Sequence, residues 1–587
     1  MRASRSYFNY CLQHATIGHI VLLFMVLLLP TVFAPFHADD FFHLLMLSDD
    51  ALLTRSAEHT LFGLFSFVDS DAQNRAQLLQ YGVLPWWSSE DFYFRFWRPI
   101  SELSHWLDMQ LMPRSALWAH LHSIVWFLAL IWPLRLLLQY SLKPSKALLL
   151  LALAIFVLDG QHIMTISWIA NRNALLAAFF ALWVLYFHMR STRQAGFSII
   201  ACGFYLIALA CGEIALSILA YVFFYSLLLD PRPRVQRALG FLPYGVISLV
   251  YLMLYQHLGF GADTSSTFYI SPLTEPLNFM AHAIERTGVY FLAAFMPVMA
   301  GSSWIGGETI PWLRPLVLAL ALLFAALCLW WVYKQQDYFK ASPALYFWLL
   351  SGIFSIVPVC STLAQDRLAL FQTLGIDIAI AILIYQALSR RAEGSMISPV
   401  VAKGLVFIHL LLSPLHLFLG SVFIHKESLR LQEHALSFNA GKALTDKRVF
   451  IFTFPMGQAS TLMGMRRALS ASVPDSVFIA AGVEAQLSVT QLSASQLRLH
   501  RRPGFVIGHE TSFRSIDKKP FTEQALISMA GVQVLIERVD TEGRAEQLLL
   551  NFTEPLDSGR WLFYALNQKG DLQEYTWPSK MGTVQHF

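Results

Sequence analysis

The sequence predicts an α-helical polytopic membrane protein of about eleven spans with a C-terminal β-rich soluble domain. Three observations predict it. Only 14% of the 587 residues are charged, against about a quarter in an ordinary soluble domain. Hydrophobic residues make up 56% and gather in runs too long for a globular core. Beyond about His425 the pattern changes to short apolar runs separated by turn signals.

A membrane helix needs about 20 mostly apolar residues. Stretches of this kind run over 17–36, 116–140, 146–162, 166–188, 196–212, 213–230, 238–257, 314–333, 343–362, 369–388 and 400–424. The first contains Pro30 and Pro35 and has no small-residue cleavage site, so it reads as a retained span. With the N-terminus in the cytoplasm, every cytoplasmic gap is basic. The gaps hold Arg135, Lys143 and Lys146, then Arg190 and Arg193, then Arg232, Arg234 and Arg237, then Lys334 and Lys340, then Arg390 and Arg391. Val289 to Ala300 is apolar but too short to cross, and reads as an amphipathic or re-entrant segment.

Four regions follow. Residues 1–36 form the cytoplasmic N-terminus and first span, and 37–115 the first outer loop. Residues 116–424 carry the other spans with an outer loop at 258–313, and 425–587 form the β-rich outer domain. The expected location is the inner (plasma) membrane, with the C-terminal domain in the periplasm. In the tail, 427–442 read as helix. The runs Val449 to Phe454, Val477 to Ile479 and Gly531 to Ile536 read as strands, with turns at Glu542-Gly543, Ser558-Gly559 and Lys569-Gly570.

The five cysteines suggest neither a disulfide framework nor a zinc site, because none falls in the polar tail. The net charge of +4 is spread over loops and fits a membrane orientation rather than a nucleic-acid partner.

Ionisable groups gather at the predicted outer edge. His37-Ala38-Asp39-Asp40-Phe41-Phe42-His43 opens the first outer loop. A carboxylate there can serve as a general base, since burial and a like-charged neighbour raise its pKa. Equally, Asp40 can cap a helix starting at Phe41. The Asp/His cluster also leaves a divalent metal open as a cofactor. Arg98 and Pro99 precede a helix on which Ser101, His105 and Asp108 share one face and Leu103, Leu107 and Leu111 another. Arg172, Glu213 and the pair Asp366-Arg367 each lie at the outer end of an apolar stretch, where such groups are commonly interface anchors.

Taken in order, these segments resemble a family. They are the acid pair, F-x-R-P-x-S (Phe96 to Ser101), W-I-x-x-R-x-x-L-L-A (Trp168 to Ala177), the Gly212-Glu213 turn and D-R-L-x-x-F-x-x-x-G (Asp366 to Gly375). The chain resembles the GT-C superfamily of membrane glycosyltransferases, closest to the protein O-mannosyltransferase branch and its multi-span bacterial relatives, over residues 15–424. The resemblance implies a polyprenyl-phosphate-linked sugar as donor and a lipid-linked glycan or protein as acceptor. It implies Asp39 or Asp40 as catalytic base, and Arg98, Arg172 and Arg367 as groups facing the donor phosphate. His43, Glu213 and Asp366 would complete the pocket. Two positions depart from the pattern: Gly212 stands where relatives often have Lys, and Asn173 where they often have an acid. Competing classes are a flippase or transporter, a polymerase or ligase of lipid-linked saccharide, and a non-catalytic membrane scaffold.

Overall fold

The computed structural model describes residues 14–47, 63–69, 71–263, 265–295, 313–334, 342–389, 396–437, 444–455, 461–567, 570–577 and 582–587. Lys340, Arg390, Arg391 and the end of the Val289 to Ala300 segment lie outside them. The chain forms two compact units. The first comprises Met1–Pro35, Trp97–His257 and Ile270–Lys426; the second comprises Phe36–Phe96, Leu258–Tyr269 and Glu427–Phe587.

The first unit is helical. Among the described residues, six helices are long and apolar enough to cross a membrane: Ala116–Ser141, Ile169–Ser191, Arg234–His257, Pro343–Ser361, Leu370–Leu388 and Pro399–Ser437. A seventh span arises if Lys146–Val157 and Gly160–Ser167, bent by 43° at their junction, are taken as one. The expected eleven are therefore not reached. Ile17–Leu27, Phe197–Cys211, Glu213–Leu228 and Pro315–Leu327 are shorter apolar helices. The causes are local. The first helix breaks at Leu28, just before Pro30. The Gly212-Glu213 turn, the expected boundary of two stretches, leaves Phe197–Cys211 and Glu213–Leu228 short on either side of it. Fifteen helical residues reach only about 22 Å, short of the roughly 30 Å hydrocarbon layer. Val289 to Phe295 ends a longer helix, Pro276–Phe295.

Small residues set the tightest helix contact. A Cβ on Gly352 would lie 2.9 Å from the Gln372 carbonyl oxygen and 3.1 Å from the Cα of Gly375. The helices Pro343–Ser355 and Leu370–Ser389 thus meet backbone to backbone, as small residues allow in apolar surroundings.

The second unit is α/β. Arg448–Thr453 pairs in parallel with Ser476–Ala481 and Trp561–Leu566, and Leu572–Glu574 closes that sheet antiparallel. The helix Leu462–Ala468 lies between the first two strands in sequence. A second sheet of six antiparallel strands runs in spatial order Val584–His586, Leu487–Ser493, Gln496–Arg501, Ala545–Phe552, Val532–Val539, Leu526–Met529. The predicted strand runs appear, and Gly543 takes positive φ in the turn between Val532–Val539 and Ala545–Phe552. The predicted helix at 427–442 falls, up to residue 437, within the long Ser413–Ser437 helix; residues 438–442 and Lys569 lie outside the described residues.

Residues 36–96 belong to this unit rather than standing as a separate loop. Trp86 and Trp87 are fully buried in it, their indole N–H groups donating to the carbonyls of Ala480 (3.0 Å) and Glu510 (3.2 Å). Glu510 is itself enclosed. It accepts from Arg501 at 2.7 and 2.8 Å, and from the backbone N–H of Ile507 at 2.8 Å. Removing one partner of a buried pair strands the other charge. Glu510→Gln should therefore destabilise the second unit by about 3–5 kcal/mol, read as a lowered unfolding temperature of the purified full chain. An unchanged transition would mean that the pair is not enclosed.

Candidate functional site

Five of the eight residues singled out from the sequence lie in the first unit and three in the second. In the first unit, the helix Pro99–Leu111 divides as its periodicity requires. Ser101, Glu102, Ser104, His105 and Asp108 are buried, while Leu103, Trp106, Leu107 and Leu111 are exposed. An apolar exposed face opposite a polar buried one fits a helix lying along an interface.

That polar face is tied to the bundle at three heights. At its start, the Arg98 guanidinium meets Glu213 Oε2 at 3.0 Å (Nε) and 2.9 Å (Nη2), and Tyr255 donates to the other carboxylate oxygen. One turn on, Ser101 Oγ donates to the Cys211 carbonyl at 2.7 Å. Further on lies Asp108, paired with Arg172 Nη1 at 2.5 Å and with His122 Nδ1 at 2.6 Å. The Trp126 indole N–H donates to His122 Nε2 at 3.0 Å, so Nδ1 carries the hydrogen that points to Asp108. Burial pushes the Asp108 carboxyl up, but His122 and Arg172 together hold it below the usual carboxylate value.

Arg172 opens the helix Arg172–Ser191 and is wholly enclosed. Its Nε donates to Ser123 Oγ (3.0 Å), its Nη1 to Ser104 Oγ (3.1 Å) and its Nη2 to the Ala119 carbonyl (2.8 Å). Arg367 is half-buried. It donates to Gln365 Oε1 at 2.5 Å and stacks on Trp168, 4.6 Å from the ring centre. Thr165 Oγ donates to the Arg367 carbonyl at 3.2 Å. Asp366 is buried at the start of the 3₁₀ turn Asp366–Leu368. Gly212 and Asn173 are neighbours: a Cβ on Gly212 would stand 3.0 Å from Asn173 Nδ2.

These junctions share one end of the helical unit. The breaks at 158–172, 211–217 and 356–369 touch one another there. The first helix ends there too, with Thr31 Oγ 3.2 Å from Ser167 Oγ and its N–H donating to Ser421 Oγ at 2.9 Å. The opposite end holds Arg193 over Tyr140 (5.2 Å), the Arg232–Asp230 pair (2.7 Å) and Arg237 on the Leu227 carbonyl (3.0 Å).

In the second unit, Asp40 begins the helix Asp40–Leu47 rather than capping one that starts at Phe41. Its buried carboxylate reaches back to accept from the His37 N–H at 2.9 Å. Asp39 is half-buried. His43 is buried against Phe65 (4.8 Å, edge-on) and Phe67 (5.6 Å, stacked).

Sequence reasoning missed His122, Tyr255 and the buried set Asp159, His162 and Asp377. The signal for Asp377 was present, since a lone acid inside an apolar run is a functional flag. No family model and no curated protein matches this chain.

The Asp108 pairing makes a pH prediction. A carboxyl held low in the folded state stabilises above its unfolded value of about 3.9, and that contribution is lost as pH falls through the folded value. Acid unfolding of wild type should accordingly steepen below about pH 4. Asp108→Asn should be less stable at neutral pH and lack that component, as followed by tryptophan fluorescence in detergent. Equal acid profiles would remove Asp108 from the account.

Proposed function

We propose that the chain is a membrane glycosyltransferase that moves a sugar from a polyprenyl-phosphate donor to an acceptor on the outer face of the membrane. In this reading it has eleven crossings, some made by short or bent helices, with the N-terminus cytoplasmic and the second unit periplasmic. The observation that carries the proposal is the segregation of charge in the helical unit. Arg98, Arg172, Arg367, Glu213 and Asp366 converge at one end, while basic groups without that convergence occupy the other. The basic end suits the cytoplasm. A polyprenyl tail lies in lipid and leaves its phosphate at the depth of the first group.

The arginines divide the work. Arg172 has its donors committed to Asp108, Ser104, Ser123 and Ala119, so its role is to hold the Pro99–Leu111 helix. Contact with the phosphate falls to Arg98 and Arg367, which are part-exposed where Arg172 is enclosed. They stabilise the departing phosphate through charge-assisted hydrogen bonds. The acid pair follows the end of the first helix by only a few residues and supplies the base. That base takes the proton of the acceptor hydroxyl as its oxygen attacks the anomeric carbon. The carbon–phosphate-oxygen bond breaks, and configuration inverts. Asp39, the more exposed of the two, is the first candidate.

One observation favours a second reading, a transporter of lipid-linked saccharide: a bent helix with ionisable groups packed at its break, as broken transporter helices have.

Transfer by purified protein from a polyprenyl-phosphate sugar separates the two. Asp39→Asn should reduce transfer by about a hundred- to ten-thousand-fold while the protein stays folded. Normal transfer by both Asp39→Asn and Asp40→Asn variants would sink the assignment of the base. Arg367→Lys keeps the charge but loses the fork, so donor binding and transfer should fall well below wild type. A plain interface anchor would tolerate it. Movement of the intact lipid-linked saccharide across proteoliposomes, with no transfer, would establish the second reading instead.

A further inference from the structure

Lys146–Val157 ends at Leu158, and the chain resumes as helix at Gly160. Glycine is required at the break, because a Cβ on Gly160 would lie 2.7 Å from the His416 ring. Asp159 fills the gap. Its Oδ1 accepts from the Gln161 N–H at 3.1 Å and from Ser413 Oγ at 2.8 Å. Ser413 Oγ in turn accepts from the Gly160 N–H at 2.9 Å. His162 follows, its ring held between Phe127 (5.1 Å) and Phe156 (4.9 Å). It hydrogen-bonds to the Phe156 backbone, and its Nε2 has no hydrogen-bond partner. From the neighbouring helix comes Asp377, seven residues and about 10 Å beyond Leu370. It is fully enclosed, and neither carboxylate oxygen has a hydrogen-bond partner. One donor atom from each of Asp159, His162 and Asp377 lies within 4.8 Å of the others.

We propose that Asp159, His162 and Asp377 bind one divalent transition-metal ion of the Zn²⁺ or Mn²⁺ kind within the helical unit.

Charge and ligand chemistry select this occupant. Two ionised carboxylates away from water are costly unless compensated. A divalent ion with a neutral imidazole brings the set to zero net charge, whereas a monovalent ion leaves one negative charge uncompensated. Imidazole suits zinc and carboxylate oxygen suits manganese, so one histidine beside two aspartates fits either, while magnesium and calcium are held by oxygen ligands. The Phe156 bond to the other ring nitrogen is the kind of second contact that orients a ligating histidine. Three protein ligands leave a zinc position open for water or another donor. A filled tetrahedral site has ligand atoms about 3.3 Å apart, so binding draws the three side chains inward. The rival occupant is protons alone, one on each carboxyl. That would leave the O–H and C=O of Asp377 buried without partners, which is itself unfavourable.

The metal site stands apart from the transferase reading, and its test does not use transfer. Full-length protein purified in detergent is stripped with chelator, then dialysed against Zn²⁺ or Mn²⁺ alone, and bound metal is measured by mass spectrometry. About one equivalent per chain is expected, with a raised unfolding temperature. His162→Gln and Asp377→Asn should each lower occupancy at least ten-fold at limiting metal and abolish the metal-dependent rise in unfolding temperature. If Asp377→Asn does not fold, His162→Gln carries the comparison. Wild type that takes up no metal would overturn the site in favour of protons. Wild-type occupancy in folded His162→Gln protein would equally overturn it, by placing the ion elsewhere.

Discussion

Arg172 enters a helix bundle from which its guanidinium has no route to water, and one end of that bundle is organised by the need to satisfy it. An unpaired arginine there would cost several kcal/mol. Asp108 supplies the countercharge, with two serine hydroxyls and a carbonyl taking three further N–H groups. Those partners come from two other helices, Pro99–Leu111 and Ala116–Ala129. One charge therefore fixes three elements at once. The Pro99–Leu111 helix is then held in register, which sets Arg98 against Glu213 at its other end. A charge buried in this way specifies an arrangement more than it stabilises one, since an apolar replacement of the whole set would also pack.

The second unit obeys a different constraint. Its six-stranded sheet follows from alternating patterns that can be read locally. Its composition from three segments, Phe36–Phe96, Leu258–Tyr269 and Glu427–Phe587, rests on burial of aromatic rings. Trp86 packs on Phe505 (5.6 Å) and Phe521 (5.8 Å), and Phe92 on Phe513 (5.5 Å). The Arg514 side chain lies over Phe521 at 4.3 Å and donates to the Trp87 carbonyl at 2.8 Å. The acid pair thus belongs to a folded body whose core is largely supplied by the tail. Without the tail, Trp86 and Trp87 would lose the carbonyls of Ala480 and Glu510.

What the sequence made legible follows the range of each signal. Composition and apolar runs gave the helical class, and 3.6-residue periodicity gave both faces of Pro99–Leu111. Short apolar runs between turn signals gave the strands near Val449, Val477 and Val532. Hydropathy could not give the number of crossings, because a window averages over the breaks at Leu28 and Leu158 that the backbone actually makes. Parallel pairing of Arg448–Thr453 with Trp561–Leu566 was also invisible, since the two strands are far apart in sequence. Site residues split the same way. Arg98, Arg172 and Arg367 stood out as charges beside apolar runs. Which of them is enclosed and which accessible depends on long-range partners that no local pattern encodes, Asp108 for Arg172 and Trp168 for Arg367.

The same logic bears on the break at Asp159. A transporter site must release its cation, and release needs side chains that can loosen and a helix that can move. Here the carboxylate is held by Ser413 and the Gln161 N–H, the imidazole is clamped between two phenylalanines, and Gly160 sits tight against His416. Asp377 projects from a helix that packs through Gly375 onto Gly352 with no side chain between them to yield. Each restraint raises the cost of opening, and together they describe a site that keeps its occupant. Broken helix and buried acid are thus compatible with exchange in general, but this packing argues for a fixed ion. A fixed ion would brace the bent Lys146–Ser167 segment against the Leu370–Ser389 helix, and through Thr165 and Arg367 would steady the end of the bundle where the arginines converge.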